Sequence, residues 1–227
     1  MGNSQCCNFI NIPGVTKLVQ LAPSPCVQVF LIDLVQANSS LDISCLSAAE
    51  MERAARFDCT HNRTKYLTRH FALRHLLAQF TGITPQGLVF AEGKFGKPSL
   101  AHAPTCFFNL SHSERWALVG IAQGPGAAEM GVDIESLRPL DDLQDLADQL
   151  LNPQELEKFK ALPIEHQNHA FLGFWTHKES TQKAWGYGIY FEPKHAGIDM
   201  NSQGPRVALK TFTQQTQFVA SVALETG

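Results

Sequence analysis

Short, nearly continuous apolar runs alternate along this chain with longer stretches of helical period. Val27-Gln28-Val29-Phe30-Leu31-Ile32 predicts a strand, and the Pro- and Gly-interrupted residues 1–25 before it predict an irregular arm with one edge strand at Val15–Val19. Ser47 with Glu50 three residues on is a capping-box signature, so a helix starts there and carries Arg53 and Arg56. A second helix is predicted from Thr60 to Phe80, with Tyr66, Leu73, Leu77 and Phe80 in period and Thr81-Gly82 as its stop. Leu88-Val89-Phe90 predicts a short strand, followed by a turn-rich loop, Glu92 to Pro98. Cys106–Leu110, Trp116–Ala122 and Met130–Glu135 predict three strands of a small meander, broken by Gly124-Pro125-Gly126.

The second half opens with helices. Asp141 or Asp142 caps a segment bearing Leu143, Leu146, Leu150 and Leu151, and Asn152-Pro153-Gln154-Glu155 starts another. A longer helix is predicted over residues 166–185, stopped by Gly186, and the tail predicts strands at Val207–Lys210 and Phe218–Leu224. Each half therefore carries helices and antiparallel strands. The predicted class is α+β with pseudo-duplication, divided at 1–125 and 126–227, although no internal sequence repeat is visible.

A chain of 227 residues that is 44% hydrophobic can bury a core. Its net charge of −3 argues against nucleic-acid binding through a basic surface. No apolar run approaches the roughly 20 residues that span a bilayer, and no secretory signal starts the chain, so a cytoplasmic protein is expected. Met1-Gly2-Asn3-Ser4-Gln5-Cys6-Cys7 faintly resembles an acylation signal, but Cys stands where Ser or Thr is required, and no membrane anchor is expected. The cysteines form no Cys-x-x-Cys pair and read as reduced thiols.

Two distant segments carry the chemistry. In Gly131-Val132-Asp133-Ile134-Glu135, strand geometry puts Asp133 and Glu135 on one face, where their like charges repel unless a cation intervenes. In Phe174-Trp175-Thr176-His177-Lys178-Glu179-Ser180-Thr181-Gln182-Lys183, helical geometry aligns Glu179 with Lys183. Brought together, these acids and the lysine suit a hard divalent cation and a polyphosphate. Taken singly, each segment reads as an ordinary solvated face. Phe108-Asn109-Leu110-Ser111-His112-Ser113 ends an apolar strand where hydroxyls, imidazole and backbone N–H groups can meet a phosphate. Gly96-Lys97-Pro98 holds a lysine on a rigid turn, and Arg53, Arg56, Arg63 and Lys65 form a basic group. No phosphate-binding Gly-x-x-x-x-Gly-Lys-Ser/Thr loop, dinucleotide Gly-x-Gly-x-x-Gly, Gly-x-Ser-x-Gly elbow or His-Glu-x-x-His zinc motif occurs. His166, His169 and His177 lack partners of zinc spacing and read as solvated.

On these motifs, four in order, the chain resembles the 4′-phosphopantetheinyl transferase superfamily, in its longer, surfactin-synthetase-activating type. The matched region runs from about Arg53 to Gly188. The resemblance implies a monomeric pseudo-dimer of two similar subdomains with the active site in the cleft between them. It implies transfer of the phosphopantetheine arm of coenzyme A to a serine of an apo acyl, polyketide or peptidyl carrier protein, releasing adenosine 3′,5′-bisphosphate. By the family pattern Asp133, Glu135 and Glu179 hold Mg²⁺, while His112 and Lys183 contact the pyrophosphate. Lys97, Pro98 and Ser111 seat the nucleotide, and Arg53, Arg63 and Thr64 lie near the 3′-phosphate. Glu179 is also the candidate base, or a ligand only. Glu50 and Met51 depart from the pattern, standing where relatives often carry another basic residue. Two rival readings are a different Mg²⁺-dependent phosphoryl hydrolase and a non-catalytic coenzyme A or carrier-protein binder.

Overall fold

A computed structural model describes residues 12–22, 26–38, 41–93, 95–186, 206–214 and 217–226. The Met1–Cys7 segment and Gly188 lie outside them. Strands β1 (Val15–Ala22), β2 (Cys26–Asp33), β5 (Cys106–Ser113) and β6 (Trp116–Gln123) form a four-stranded antiparallel sheet in the order β1-β2-β6-β5. Strands β7 (Met130–Ser136), β8 (Arg206–Gln214) and β9 (Phe218–Thr226) form a second antiparallel sheet, β7-β9-β8. Strands β3 (Phe90–Glu92) and β4 (Pro98–Leu100) make a separate hairpin. The helices are α1 (Leu34–Ala37), α2 (Ala48–Ala55), α3 (Thr60–Thr81), α4 (Leu143–Leu150), α5 (Pro153–Lys160) and α6 (Ile164–Trp185). Among the described residues no helix is long and apolar enough to cross a membrane.

The layers follow from side-chain parity. On β2, Phe30 and Ile32 enter a core with Phe71, Leu73, Leu76 and Leu77 of α3, while Val27, Val29 and Leu31 enter a second core with Val132, Ile134, Ala220 and Val222. Both faces of β2 are thus buried, which is why it reads as a continuous apolar run rather than an alternation. The two sheets lie back to back, with α3 against the outer face of the first and α6 against the outer face of the second. Gly120 on β6 permits the close sheet–sheet approach. A Cβ there would stand 2.2 Å from Met130 Cε and 2.7 Å from Val132 Cγ1. A third core packs Ala147, Leu151 and Phe159 against Phe171 and Leu172 of α6.

The local signals fold as their chemistry requires. Ser47 and Glu50 form the reciprocal capping box of α2, and Asn152 with Glu155 forms that of α5. Both long helices stop at a glycine of positive φ, Gly82 at 71° and Gly186 at 72°. Three expectations change. Residues 106–135 are not one meander: β5 and β6 pair with each other, whereas β7 leaves them to pair with β9. Strand β5 runs through Ser111-His112-Ser113 instead of stopping before them, because those residues keep their ladder partners on β6. Pro85–Gly87 forms a 3₁₀ turn capped by Thr84, which delays the next strand to Phe90. The described cysteines, Cys26, Cys45, Cys59 and Cys106, are free thiols.

Candidate active site

Strands β5 and β7 belong to different sheets, and side chains join them where no backbone ladder does. The alternate residues Asn109, Ser111 and Ser113 face β7 as a set. Asn109 Oδ1 accepts the Val132 N–H at 2.9 Å, Ser111 Oγ donates to Asp133 Oδ1 at 2.8 Å, and Ser113 Oγ donates to Glu135 Oε2 at 2.8 Å. Ser136 closes the seam, its N–H donating to Ser113 Oγ and its hydroxyl to the Ser113 carbonyl, each at 3.1 Å. The spacing of the Asn-x-Ser-x-Ser motif thus matches that of Asp-x-Glu, residue for residue across the seam.

Helix α6 reaches the same acids because Gly131 lets it. A Cβ on Gly131 would stand 1.9 Å from the Ser180 carbonyl oxygen and 2.4 Å from the Ala184 nitrogen. Only glycine allows strand backbone to lie directly on helix backbone here. That contact carries Lys183 into the cluster, where its Nζ lies 2.6 Å from Asp133 Oδ1 and 3.6 Å from Glu179 Oε2. The same ammonium donates to Ser111 Oγ at 3.4 Å. Asp133 and Glu179, 46 positions apart in sequence (179 less 133), therefore share one cation.

Burial sets the electrostatics. Asp133 is 3% exposed, and desolvation raises its pKa against the opposing pull of Lys183 and Ser111. Burial likewise raises Glu135 and Glu179, with the charge of Asp133 adding to each. Asp133 Oδ2 is buried and has no hydrogen-bond partner among the described residues. An orphaned carboxylate oxygen beside two further acids of raised proton affinity is a hard donor set that suits Mg²⁺. Among the described residues no three acid, His or Cys side chains converge closely enough to hold a metal, and the positive charge between Asp133 and Glu179 is supplied by Lys183.

The other predicted residues are distributed around this cluster. His112 has the opposite parity to Ser111 on β5, so its ring faces away from Asp133, toward the side where Phe108 and Leu110 pack with α3. The ring remains partly open to solvent, and surrounding protein, then Arg69, Lys183 and Lys65, lower its pKa. Lys97 does not extend freely. Its three donors go to Glu129 Oε2 at 2.5 Å and to the carbonyls of Met130 and Ala184, each at 3.0 Å, clasping β7 to α6. Pro98 is exposed at the start of β4. Arg53 is exposed with its guanidinium 6.0 Å from the Tyr66 ring centre. Arg63 is exposed and Thr64 half-buried in the first turn of α3, and neither side chain makes a hydrogen bond or ion pair among the described residues. His166 and His169 are exposed, as expected, whereas half-buried His177 contacts Thr211 through Nε2.

Two charged residues, one off the family pattern and one within a matched motif, prove structural. Glu50, which breaks the expected basic pattern, caps α2 and accepts from the buried Arg74 at 2.9 Å. Lys178, beside Glu179, turns away from the acids and bonds Glu155 at 2.7 Å and the Leu150 carbonyl at 2.9 Å. Sequence reasoning missed the seam role of Asn109, although its spacing of two from Ser111 was a usable signal. It also missed Arg69, a buried arginine on α3.

A family model described as the 4′-phosphopantetheinyl transferase superfamily matches residues 129–225. The 4′-phosphopantetheinyl transferase HetI of Nostoc sp. is 34% identical over 168 residues, 72% of this chain and 70% of that protein. A putative 4′-phosphopantetheinyl transferase of Synechocystis sp. is 35% identical over 146 residues, 63% of this chain and 58% of its own length. The 4′-phosphopantetheinyl transferase Sfp of Bacillus subtilis is 25% identical over 171 residues, 75% of this chain and 74% of that protein.

Proposed function

This chain belongs to the 4′-phosphopantetheinyl transferase superfamily, and from that premise we propose that the cluster around Asp133 is its active site: it transfers the 4′-phosphopantetheine group of coenzyme A to a serine hydroxyl of an apo acyl, polyketide or peptidyl carrier protein and releases adenosine 3′,5′-bisphosphate. The observation that carries this reading is the convergence of Asp133 and Glu179 on one ammonium, 2.6 Å and 3.6 Å from Lys183 Nζ. We assign the active site to a cleft between two subdomains, residues 1–125 and 126–227, each with a long helix on a small antiparallel sheet, in a monomer of pseudo-dimeric plan.

In the reaction the serine oxygen bonds to the phosphorus that carries the pantetheine arm. The pyrophosphate P–O bond breaks, and its electron pair leaves with the bisphosphate. Such transfers depend mainly on positioning and charge neutralisation. Asp133, Glu135 and Glu179 would hold Mg²⁺, which when bound neutralises charge on the pyrophosphate. Ser111 and Ser113 keep the first two carboxylates aimed. Lys183 moves its charge from the acids toward the phosphates, and His112 meets them from the α3 side. Lys97 holds β7 on α6, and with Pro98 flanks the nucleotide. Glu179, its proton affinity raised by burial, takes the serine proton directly or through a water. Arg53, Arg63 and Thr64 serve the 3′-phosphate end.

Mass spectrometry of a purified apo carrier protein, after incubation with coenzyme A and Mg²⁺, tests the reading. The expected result is a gain of about 340 Da on the carrier serine, the mass of the transferred arm. Release of the bisphosphate at equal rate without any carrier would establish a hydrolase instead.

A further inference from the structure

The two-residue turn between β5 and β6, Glu114-Arg115, is strained and held from two sides. Glu114 has a φ of 50°, the one positive value at a residue other than glycine among the described residues. A side chain disfavours that backbone, and glycine is the usual residue there. Such strain persists where the surroundings over-determine it. The Glu114 carboxylate pairs with Lys65 of α3 at 3.6 Å. Arg115 reaches the other way, donating through Nε to Asp33 Oδ1 at 3.0 Å and through Nη2 to Asp33 Oδ2. Asp33, 6% exposed, is itself fixed, because it also accepts the Val35 and Gln36 N–H groups at the start of α1. The Arg115 carbonyl accepts the Leu34 N–H at 2.9 Å. A planar guanidinium on both oxygens of a buried carboxylate fixes orientation as well as distance.

The brace holds one end of the acidic cluster. Asp33, Trp116 and Ser113 lie in one row across β2, β6 and β5, each paired with the next. Ser113 carries the row on to β7, donating to Glu135 Oε2 at 2.8 Å and accepting the Ser136 N–H at 3.1 Å. Ser136 pairs with Phe218 of β9, and the Phe218 ring centre lies 5.5 Å from that of Trp116. The Arg115 guanidinium lies 5.1 Å from the centre of the same indole ring. A closed circuit of contacts thus joins the two sheets at the level of Glu135, and Arg115 anchors its outer corner to Asp33. Farther from the turn the seam has other ties, Ser111 to Asp133 and Asn109 to the Val132 N–H. We propose that Arg115 is a positioning residue for the transfer: through Asp33 and Trp116 it fixes the β5–β6 turn so that Ser113 keeps the Glu135 carboxylate aimed into the site. The inference rests on the transferase reading of that site. Arg115 touches no reacting atom and acts only through Ser113.

Amide hydrogen exchange of the full chain, read residue by residue by nuclear magnetic resonance, tests the brace. In Arg115→Met the Ser136 N–H, bonded to Ser113, should exchange about three- to tenfold faster, while the Val132 N–H, bonded to Asn109, keeps its wild-type rate. Arg115→Lys should fall between, since an ammonium cannot grip both oxygens in the same plane. Mn²⁺ binding with coenzyme A present, followed by electron paramagnetic resonance, tests the link to the site. Ser113→Ala should weaken it about tenfold, and Arg115→Met about three- to tenfold. In the double variant the Arg115 change should add nothing to the Ser113 change, because one acts through the other. Equal acceleration of both N–H groups in Arg115→Met would mean a general loss of stability and would overturn the proposal. Unchanged Mn²⁺ affinity in Arg115→Met would overturn it too, as would effects of the two substitutions that add. Wild type that transfers nothing to a carrier protein would remove the transferase reading, and this proposal with it.

Discussion

Helices α3 and α6 are each 22 residues long, each ends on a left-handed glycine, and each packs on the outer face of its own antiparallel sheet. Each also places two cations five positions apart, Arg69 and Arg74 on α3 and Lys178 and Lys183 on α6. Five residues turn a helix by about 500°, so the members of a pair project roughly 140° apart. One member of each pair is locked into structure. Arg74 holds Glu50 and two carbonyls, while Lys178 holds Glu155 and the Leu150 carbonyl. The other member is held less tightly: the Arg69 side chain bonds no acid among the described residues, and Lys183 balances two carboxylates. The difference lies in what covers this second cation. On α3 it is an aromatic ring, and on α6 it is a pair of carboxylates.

The locked members should cost stability, and Lys183 should cost function. The largest loss is expected from Arg74→Met, which leaves Glu50 buried and two carbonyls without a donor. About 3–5 kcal/mol should disappear from the denaturant-unfolding free energy. Gly131→Ala should follow, at about 1–3 kcal/mol or more, because the added carbon meets α6 backbone that cannot rotate aside. It should also abolish transfer by pushing Lys183 from Asp133. Lys178→Met should lose about 1.5–3 kcal/mol, the range for a hydrogen bond to a charged group, with binding of coenzyme A unaltered. Lys183→Met should slow transfer by about a hundredfold or more yet cost less stability than Lys178→Met, because Asp133, its proton affinity already raised by burial, can take up a proton. A stability loss for Lys183→Met as large as that for Lys178→Met would erase the distinction.

Acid should act on the locked pair of α3. Burial alone would raise the Glu50 pKa, but the bonds from Arg74 and Ser47 outweigh it and the net shift is downward. A carboxylate with a depressed folded pKa stabilises the protein above its unfolded value of about 4.3, and that contribution fades as pH falls through the folded pKa. Wild type should therefore lose stability on acidification below about pH 5 more steeply than Glu50→Gln, as read by urea unfolding at each pH.

Features set by neighbouring residues were legible in the sequence. Ser47 with Glu50 and Asn152 with Glu155 announce their helix starts, and Gly82 and Gly186 announce the stops. The acids, Lys183 and the Ser-His-Ser strand were legible because strand and helix periods place alternate or fourth residues together. Sheet membership was not. Nothing local tells β7 to leave β6 for β9, where Ser136 pairs with Phe218, 82 positions later (218 less 136). Arg69 was hidden for a related reason. It sits between Thr68 and His70 in a polar stretch, and only tertiary packing removes it from water. Lys97 read as a surface turn lysine, because the acceptors that hold it lie 32 to 87 positions away.

The central claim is that the strand acids and the α6 acid serve one cation together with coenzyme A. Electron paramagnetic resonance of Mn²⁺, titrated into wild type and Glu179→Gln with coenzyme A present, measures it most directly. The account predicts a single bound ion in wild type and binding weaker by about tenfold or more in the variant. Equal Mn²⁺ affinity in the two proteins would contradict it.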